Sequence, residues 1–143
     1  MKIQIVNNDN ESIDGFIALK ISDNIKQDLG KIVDNSCTEL LVLDVINSFK
    51  YNESIEFLLT LLKKVRINGN ILLKGVSSLS LSHAILNELI NSEEGSSVIE
   101  NIKSIHDHRD IVNLLEANNF TVNTIMLGGV SYELGATRSK NVS

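Results

Sequence analysis

The chain has 143 residues, a length that suits one domain, and 43% of its residues are hydrophobic against 22% charged. This profile is typical of a globular protein and excludes an intrinsically disordered one. The net charge of −5 argues against a general affinity for nucleic acid or for an anionic membrane, because both depend on clustered Lys and Arg side chains. We therefore predict one domain over residues 1–143, with neither nucleic acid nor membrane as a partner.

Cysteine usage and hydropathy indicate the compartment. The single cysteine, Cys37, excludes an internal disulfide and is typical of a reducing environment. Cys37 heads a predicted buried strand with no histidine nearby, which favours an inert core thiol over a nucleophile. The sequence has no apolar segment long enough to span a membrane and no signal-peptide pattern. We therefore expect a soluble protein of the cytoplasm.

The N-terminal part predicts two strands separated by a short polar turn. Lys2–Asn7 alternates and is β-branched, and a second strand is predicted over Phe16–Ile21. The connection between them is too short for a crossover helix, which is unusual for parallel neighbours. Ile25–Leu29 is consistent with a brief third strand that carries Asp28 near its end.

The central part predicts a strand, a helix and a second strand. The apolar run Leu40–Val45 is short and branched enough to be a strand buried on both faces. A helix capped by Asn52 or Ser54 should follow. The residues 68–70, Asn-Gly-Asn, predict a left-handed stop before a strand over Ile71–Val76. A strand, a crossover helix and a strand form a right-handed βαβ unit, so the core should be a parallel sheet.

The next part predicts helices around a flexible break. Ser78–Ile90 is predicted as a helix that carries one apolar face, formed by Leu81, Ile85, Leu86 and Leu89. The break is expected at Ser92–Ser97, and Val98–Ile105 is expected to continue as a helix.

The C-terminal part predicts a capped helix and a hairpin. Asp107 should cap the helix, and the asparagine pair 118–119 should end it, because Asn tolerates the left-handed conformation. The glycine pair 128–129, between strands over Thr121–Leu127 and Val130–Thr137, is the strongest hairpin signal in the chain. Residues 138–143 are predicted to be a flexible tail.

Open parallel sheets bind ligands beyond the carboxyl ends of their strands. We therefore expect functional residues at Asp44–Ser48 and Val76–Ser80. Either Asp44 or Asn47 could orient a nucleophile, and the alternative is that both finish the strand and cap the next turn. The serine-rich run Ser77–Ser82 lacks the glycine-flanked elbow and the histidine partner that a hydrolase requires.

Two histidines and two aspartates are close together in the sequence near residue 107. His106 and His108, together with Asp107 and Asp110, have the composition of a metal cluster. Residues two apart diverge on a helix, however, and no third ligand is evident. We interpret this segment as a helix cap and predict no metal site.

Four segments share their spacing and hydrophobic pattern with a known family: KIQIVNNDNESIDGFIALKI, DLGKIVDNSCTELLVLDVINSF, LLKKVRINGNILLKG and LLEANNFTVNTI. Together they resemble the class I S-adenosylmethionine-dependent methyltransferases, in particular a compact group that begins directly with its first strand. The resemblance implies a Rossmann-like α/β fold of reduced size, with a mostly parallel twisted sheet and a C-terminal antiparallel hairpin. It also implies S-adenosylmethionine as the cofactor.

The same resemblance implies positions for the cofactor contacts, and several of them depart from the family. A glycine turn after the first strand lets backbone approach the methionine end of the cofactor, whereas this chain has Asn7, Asn8 and Asp9 there. The acidic residue that binds the ribose corresponds to Lys20, which has only hydrogen-bond donors. Asp28 keeps the position of an adenosine contact, and an exposed turn carboxylate is the alternative interpretation.

These departures leave three functions open. The first is a methyltransferase-like domain with a degenerate cofactor site, which acts as a binding or structural protein with a protein partner or as a homo-oligomer. The second is an active methyltransferase with a divergent pocket, because methyl transfer depends mainly on in-line positioning. The third is a nucleotide- or sugar-binding module that uses the same strand ends.

Overall fold

The computed structural model describes residues 1–7, 13–22, 24–100 and 102–139. They form one six-stranded sheet in the order β2-β1-β3-β4-β6-β5. The strands are β1 (Lys2–Val6), β2 (Ile17–Lys20), β3 (Cys37–Leu43), β4 (Val65–Val76), β5 (Phe120–Gly128) and β6 (Ser131–Arg138). The helices are α1 (Ile25–Gly30), α2 (Tyr51–Lys64), α3 (Ser78–Leu86), α4 (Ser92–Glu100) and α5 (His108–Ala117), with a short 3₁₀ helix over Ile46–Ser48.

Strands β2 and β3 lie on opposite sides of β1, so the order in which the chain adds strands to the sheet reverses at β1. From β1 the chain moves to its parallel neighbour β2 at one edge, and then returns to the other side of β1 to form β3. Strand β4 continues parallel to β3, while β6 pairs antiparallel with both β4 and β5. The predicted α/β fold, with a mostly parallel sheet and a C-terminal antiparallel hairpin, is confirmed. The reversal makes the crevice between the carboxyl ends of β1 and β3 the expected ligand position.

The core lies on one face of the sheet. Two cross-strand rows of buried residues point to this face: Ile3, Leu40, Ile71 and Ala136 form the first row, and Ile5, Val42, Leu73 and Leu134 form the second. Helices α1, α2 and α5 pack against these rows through buried residues, which are Ile25, Leu29, Phe57, Leu58, Leu61, Leu62, Ile111 and Leu115.

The opposite face of the sheet carries side chains that are half-buried. Leu41 of β3 and Leu72 of β4 lie there, in a groove of about 340 Å³ that is lined by residues from β3 to β6. The prediction of a strand buried on both faces is therefore wrong for β3. One face of β3 is fully packed in the core. None of the described helices that pack on the core covers the other face, although Leu41 on that face is also apolar.

Residues Ile25–Gly30 form helix α1, so the predicted third strand is wrong. Ile25 and Leu29, four residues apart, are both buried, while Lys26 and Gln27 are exposed, which is the periodicity of a helix. Six residues carry too little pattern to separate the two structures in the sequence.

Helix α2 begins earlier than predicted, and neither predicted cap is its N-cap. The N-cap position is Lys50, with no capping side chain, and Ser54 lies inside the helix with its side chain fully buried. The helix ends at Lys64, and β4 begins at the next residue. The left-handed residue Asn68, with φ of 68°, lies in a bulge of β4 rather than at the helix end.

The predicted flexible break at Ser92–Ser97 is wrong, because this segment lies in helix α4. The reason is a capping box: Asn91 Oδ1 accepts a hydrogen bond from the Glu94 N–H at 2.8 Å, and Glu94 Oε1 accepts one from the Asn91 N–H at 3.4 Å. The predicted apolar face of α3 is also only partly correct. Leu81 is buried, whereas Ile85, Leu86 and Leu89 are 46%, 80% and 74% exposed. The helix itself ends at Leu86, before the predicted Ile90.

The predicted cap of α5 and the predicted C-terminal hairpin agree with the structure. Asp107 caps α5 by accepting a hydrogen bond from the Arg109 N–H at 2.9 Å, and Asn119 has a φ of 67° just after the helix. Gly129, with φ of 59°, lies in the turn between β5 and β6. The predicted flexible tail over residues 138–143 is wrong at its start, because Arg138 is the last residue of β6 and the Ser139 N–H donates a hydrogen bond to the Asn119 carbonyl at 2.8 Å. The remaining residues of the predicted tail lie outside the described residues. Among the described residues, no helix has the length and hydrophobicity needed to cross a membrane.

Candidate functional site

Asn7 lies at the carboxyl end of β1 and its side chain reaches the carboxyl end of β3. Its Nδ2 donates a hydrogen bond to the Asp44 carbonyl at 3.1 Å, and its Oδ1 accepts one from Ser48 Oγ at 3.3 Å. Both bonds connect the two strand ends that border the crevice. Asn8 and Asp9, the other two predicted contacts of this turn, lie outside the described residues.

Lys20 and Asp28 occupy different surroundings. Lys20 is exposed at the end of β2, directly beside Val6 in the parallel register, so it lies next to the end of β1. Asp28 lies in helix α1, where its nearest cation is Lys31 at 4.0 Å. The structure therefore brings Asn7 and Lys20 to neighbouring strand ends, whereas Asp28 is a helix residue and not the end of a strand.

Asp44 marks the point where the chain leaves β3. Its φ of 59° is left-handed, a conformation that a short polar residue such as Asp tolerates. The Asp44 N–H donates to the Lys74 carbonyl at 2.8 Å, and the Asp44 carboxylate lies 3.7 Å from the Lys74 ammonium. The Asp44 side chain is 58% exposed, so its charge lies at the open rim of the crevice.

Asn47 is 3% exposed, and both ends of its side-chain amide are hydrogen bonded. Its Oδ1 accepts from the Val76 N–H at 3.0 Å, and its Nδ2 donates to the Ser104 carbonyl at 2.9 Å. Its main-chain carbonyl also accepts from the Lys103 N–H at 2.8 Å. Asn47 thus joins the end of β4 to the segment before α5, which is a structural role at the strand end.

Gly75 and Tyr132 lie beside Asn47, and sequence reasoning did not select either of them. A Cβ atom at Gly75 would lie 2.7 Å from Asn47 Oδ1 and 3.0 Å from the Tyr132 hydroxyl, so this position requires glycine. Tyr132 is 1% exposed, and its hydroxyl has no hydrogen-bond partner among the described residues. Burial raises the pKa of Tyr132 well above its ordinary value, and the negative charge of Asp44 raises it further. The available signal was the glycine itself, because glycine inside a strand indicates a close approach.

Two buried serine–histidine pairs lie near the carboxyl ends of the strands. Ser77 Oγ is 2.9 Å from His108 Nδ1, so the prediction that the 77–82 run lacks a histidine partner is wrong. Ser54 Oγ is 2.8 Å from His106 Nε2. Both serines are fully buried, which prevents either hydroxyl from reaching a substrate.

The hydrogen-bond network also assigns the proton on His106. Ser54 Oγ donates to the Tyr51 carbonyl at 2.7 Å, so His106 Nε2 must carry the proton that it donates to Ser54. Burial lowers the pKa of His106, and the nearby charge of Asp110 partly opposes this effect. Among the described residues, no group of three His, Cys, Asp or Glu side chains is arranged to hold a metal ion.

Two larger clefts lie between helices. One, of about 510 Å³ between α1 and α2, has Phe49 and Phe57 in its lining, and their rings stack at 4.6 Å. The other, of about 570 Å³ between α2 and α5, has Tyr51 and His106 in its lining. The linings of these two clefts do not include Asn7, Lys20 or Asp44.

The chain is similar to known proteins in structure but matches none in the sequence comparisons. No model of a protein family and no curated protein sequence matches the chain. Solved structures do match. A SAM-dependent methyltransferase from Archaeoglobus fulgidus superposes with a TM-score of 0.63 at 14% identity, over 94% of this chain and 75% of its own.

Two further structures are similar over most of this chain. An O-methyltransferase family protein from Burkholderia thailandensis matches with a TM-score of 0.58 at 14% identity, over 89% of this chain and 37% of its own. Magnesium protoporphyrin IX methyltransferase from Synechocystis PCC 6803, solved with bound SAH, matches with a TM-score of 0.54 at 17% identity, over 87% of this chain and 51% of its own. The chain thus spans about one third to three quarters of the length of these three proteins. It has the Rossmann-like fold of the class I S-adenosylmethionine-dependent methyltransferases.

Proposed function

We propose that this chain is a methyltransferase-like domain whose cofactor crevice has become a structural joint, and that it acts by binding another protein chain rather than by transferring a methyl group. Fold alone does not decide between these functions, so the proposal rests on the residues at the crevice.

The observation that carries the proposal is the position of the Asn7 side chain. In the family, a glycine turn at this point leaves the end of the first strand open to the methionine part of the cofactor. Here Asn7 is hydrogen bonded to Asp44 and Ser48, so its side chain links the ends of β1 and β3 across the crevice. A ligand that approached β1 as S-adenosylmethionine does in the family would have to break both bonds.

Two further residues support the same conclusion. Lys20 cannot accept hydrogen bonds from ribose hydroxyl groups, and its ammonium would repel the positive sulfonium of the cofactor. Asn47 lies in the segment that would face a substrate, and both ends of its side-chain amide are hydrogen bonded, to the Val76 N–H and to the Ser104 carbonyl. The described residues at the crevice therefore do not fit S-adenosylmethionine as the family binds it.

Isothermal titration calorimetry with S-adenosylmethionine and S-adenosylhomocysteine tests the proposal. We expect neither ligand to bind at millimolar concentration. Cooperative thermal unfolding of the same sample shows that the protein used is folded. A dissociation constant in the micromolar range for either ligand would overturn the proposal. The Lys20→Ala variant is the matched control for charge, because it removes the repulsion of the sulfonium and leaves the Asn7 bonds in place. We expect this variant to remain silent as well.

An active methyltransferase with a divergent pocket is the second candidate. It is favoured by the resemblance of the fold to a SAM-dependent methyltransferase and to a methyltransferase solved with bound SAH. Few catalytic side chains are compulsory for this reaction, because in-line positioning of the two reactants supplies most of the rate. This candidate predicts the micromolar binding that the first one excludes, so the same titration separates them.

A further inference from the structure

Strand β5 forms one edge of the sheet, and its second half is exposed. Among the strands that the structure describes, it pairs only with β6, so alternate residues direct their N–H and C=O groups away from the sheet. Three consecutive large apolar residues lie in this half: Ile125, Met126 and Leu127 are 52%, 63% and 53% exposed. The irregularity in the pairing with β6 lies before Thr124, so residues 124–128 form a regular strand edge.

The two edges of the sheet differ in how well they are protected. Strand β2, at the other edge, has four residues and ends in Lys20. Strand β5 has nine residues and contains neither a charge nor a proline. Short strands and lysine side chains are the usual devices that prevent an edge from pairing with another chain. The apolar half of β5 has neither device.

Apolar surface continues from β5 onto the neighbouring residues. Leu127 and Gly128 line a groove of about 350 Å³ together with Ala84 and Leu89, and Leu89 is 74% exposed. A specific protein interface buries on the order of 800 Å² on each partner, so a strand edge needs flanking apolar surface of this kind.

We propose that β5 of one copy of this chain pairs antiparallel with β5 of a second copy, which joins two six-stranded sheets into one continuous sheet across a two-fold axis. In such an isologous interface each β5 side chain faces a side chain of the same strand. A register centred on Ile125 places Ile125 opposite its counterpart and Thr124 opposite Met126.

The absence of charge favours a second copy over a different partner. Like charges directly opposite each other destabilise a strand pair, and β5 contributes no charge to a symmetric pairing. A charged segment of another protein would gain no ion pair from β5. A symmetric pairing of two β5 strands therefore places no like charges opposite each other.

Sedimentation velocity over a series of micromolar concentrations tests the proposal. We expect the wild-type chain to form a dimer, and we expect Ile125→Lys to raise the dimer dissociation constant roughly tenfold or more, because a lysine at the centre of the pairing faces a second lysine. Ile67→Lys is the matched control: Ile67 is 41% exposed in the bulge of β4, and strand β6 separates β4 from β5. We expect this control variant to dimerise as the wild type does.

A charge-swap experiment makes the test independent of the folding of any one variant. We expect Ile125→Lys and Ile125→Glu each to dimerise roughly tenfold or more weakly than the wild type, and their mixture to restore the dimer through an ion pair at the axis. The proposal is overturned if the wild type stays monomeric throughout the series, if Ile125→Lys leaves the dimer intact, or if the mixture fails to dimerise. Because Ile125 lies outside the crevice, this result does not depend on the calorimetry with S-adenosylmethionine.

Discussion

Replacing Asn47 with alanine should reveal how much the strand end depends on one buried amide. The substitution removes the acceptor for the Val76 N–H and the donor for the Ser104 carbonyl. It leaves the main-chain bond between Asn47 and the Lys103 N–H in place. The loss therefore isolates the side-chain amide from the backbone of the turn.

The expected magnitude follows from the two polar groups left without partners. A buried donor or acceptor that loses its partner costs about 1–3 kcal/mol. Because the side chain of Asn47 is almost fully buried, water cannot simply replace it without a local opening. We expect the free energy of unfolding to fall by about 2–4 kcal/mol, a large part of the roughly 5–15 kcal/mol that stabilises a typical domain.

Urea denaturation followed by circular dichroism measures this loss. The free energy of unfolding of a small protein falls by about 1–3 kcal/mol per molar urea, so the urea concentration at the midpoint of unfolding should fall by roughly 1 M or more. Asn113→Ala is the matched control, because Asn113 is exposed on α5 and alanine favours a helix, so its effect should stay within about 0.5 kcal/mol. If Asn47→Ala costs less than about 1 kcal/mol, or no more than the control, the assigned role of the amide is refuted.

Two other substitutions test neighbouring features. Gly75→Ala should destabilise the fold by about 1–3 kcal/mol in the same urea assay, because its Cβ would lie 2.7 Å from Asn47 Oδ1, and a neutral effect would contradict the close packing. Burial lowers the pKa of His106 below its ordinary value of 6.5, so the unfolded chain binds the proton more readily and stability should be lost as the pH falls through 6.5. His106→Gln should reduce the dependence of stability on pH between about pH 7 and pH 5, and an unchanged slope would refute this assignment.

The elements that could be predicted from the sequence are those whose signals are local. The β5–β6 hairpin depends on a glycine pair, and the start of α5 depends on the Asp107 cap, so a few adjacent residues specify each of them. The central strand, helix and strand were also predicted correctly in kind, because α2 is long enough for its helical period to be distinct.

The features that could not be predicted depend on contacts between residues far apart in the chain. The Ser54–His106 pair joins residues 52 positions apart, and the Ser77–His108 pair joins residues 31 apart. The sequence predicted no histidine partner for the serine run, whereas the partner of Ser77 is His108 on α5. The exposure of Leu86 was missed for a similar reason, since periodicity shows which residues share a face but not whether another element covers that face.

The candidate site combines both kinds of feature, and a double-mutant cycle between Gly75 and Asn47 can test whether it is a packed joint. If Asn47 Oδ1 is the obstacle to a side chain at position 75, Gly75→Ala should cost less in the Asn47→Ala background than in the wild type. Some cost should remain, because the Tyr132 hydroxyl would still lie 3.0 Å from the new Cβ, and adding Tyr132→Phe should reduce that remainder. Strict additivity in the cycle would therefore contradict the close packing of Asn47 against Gly75 at the end of β4.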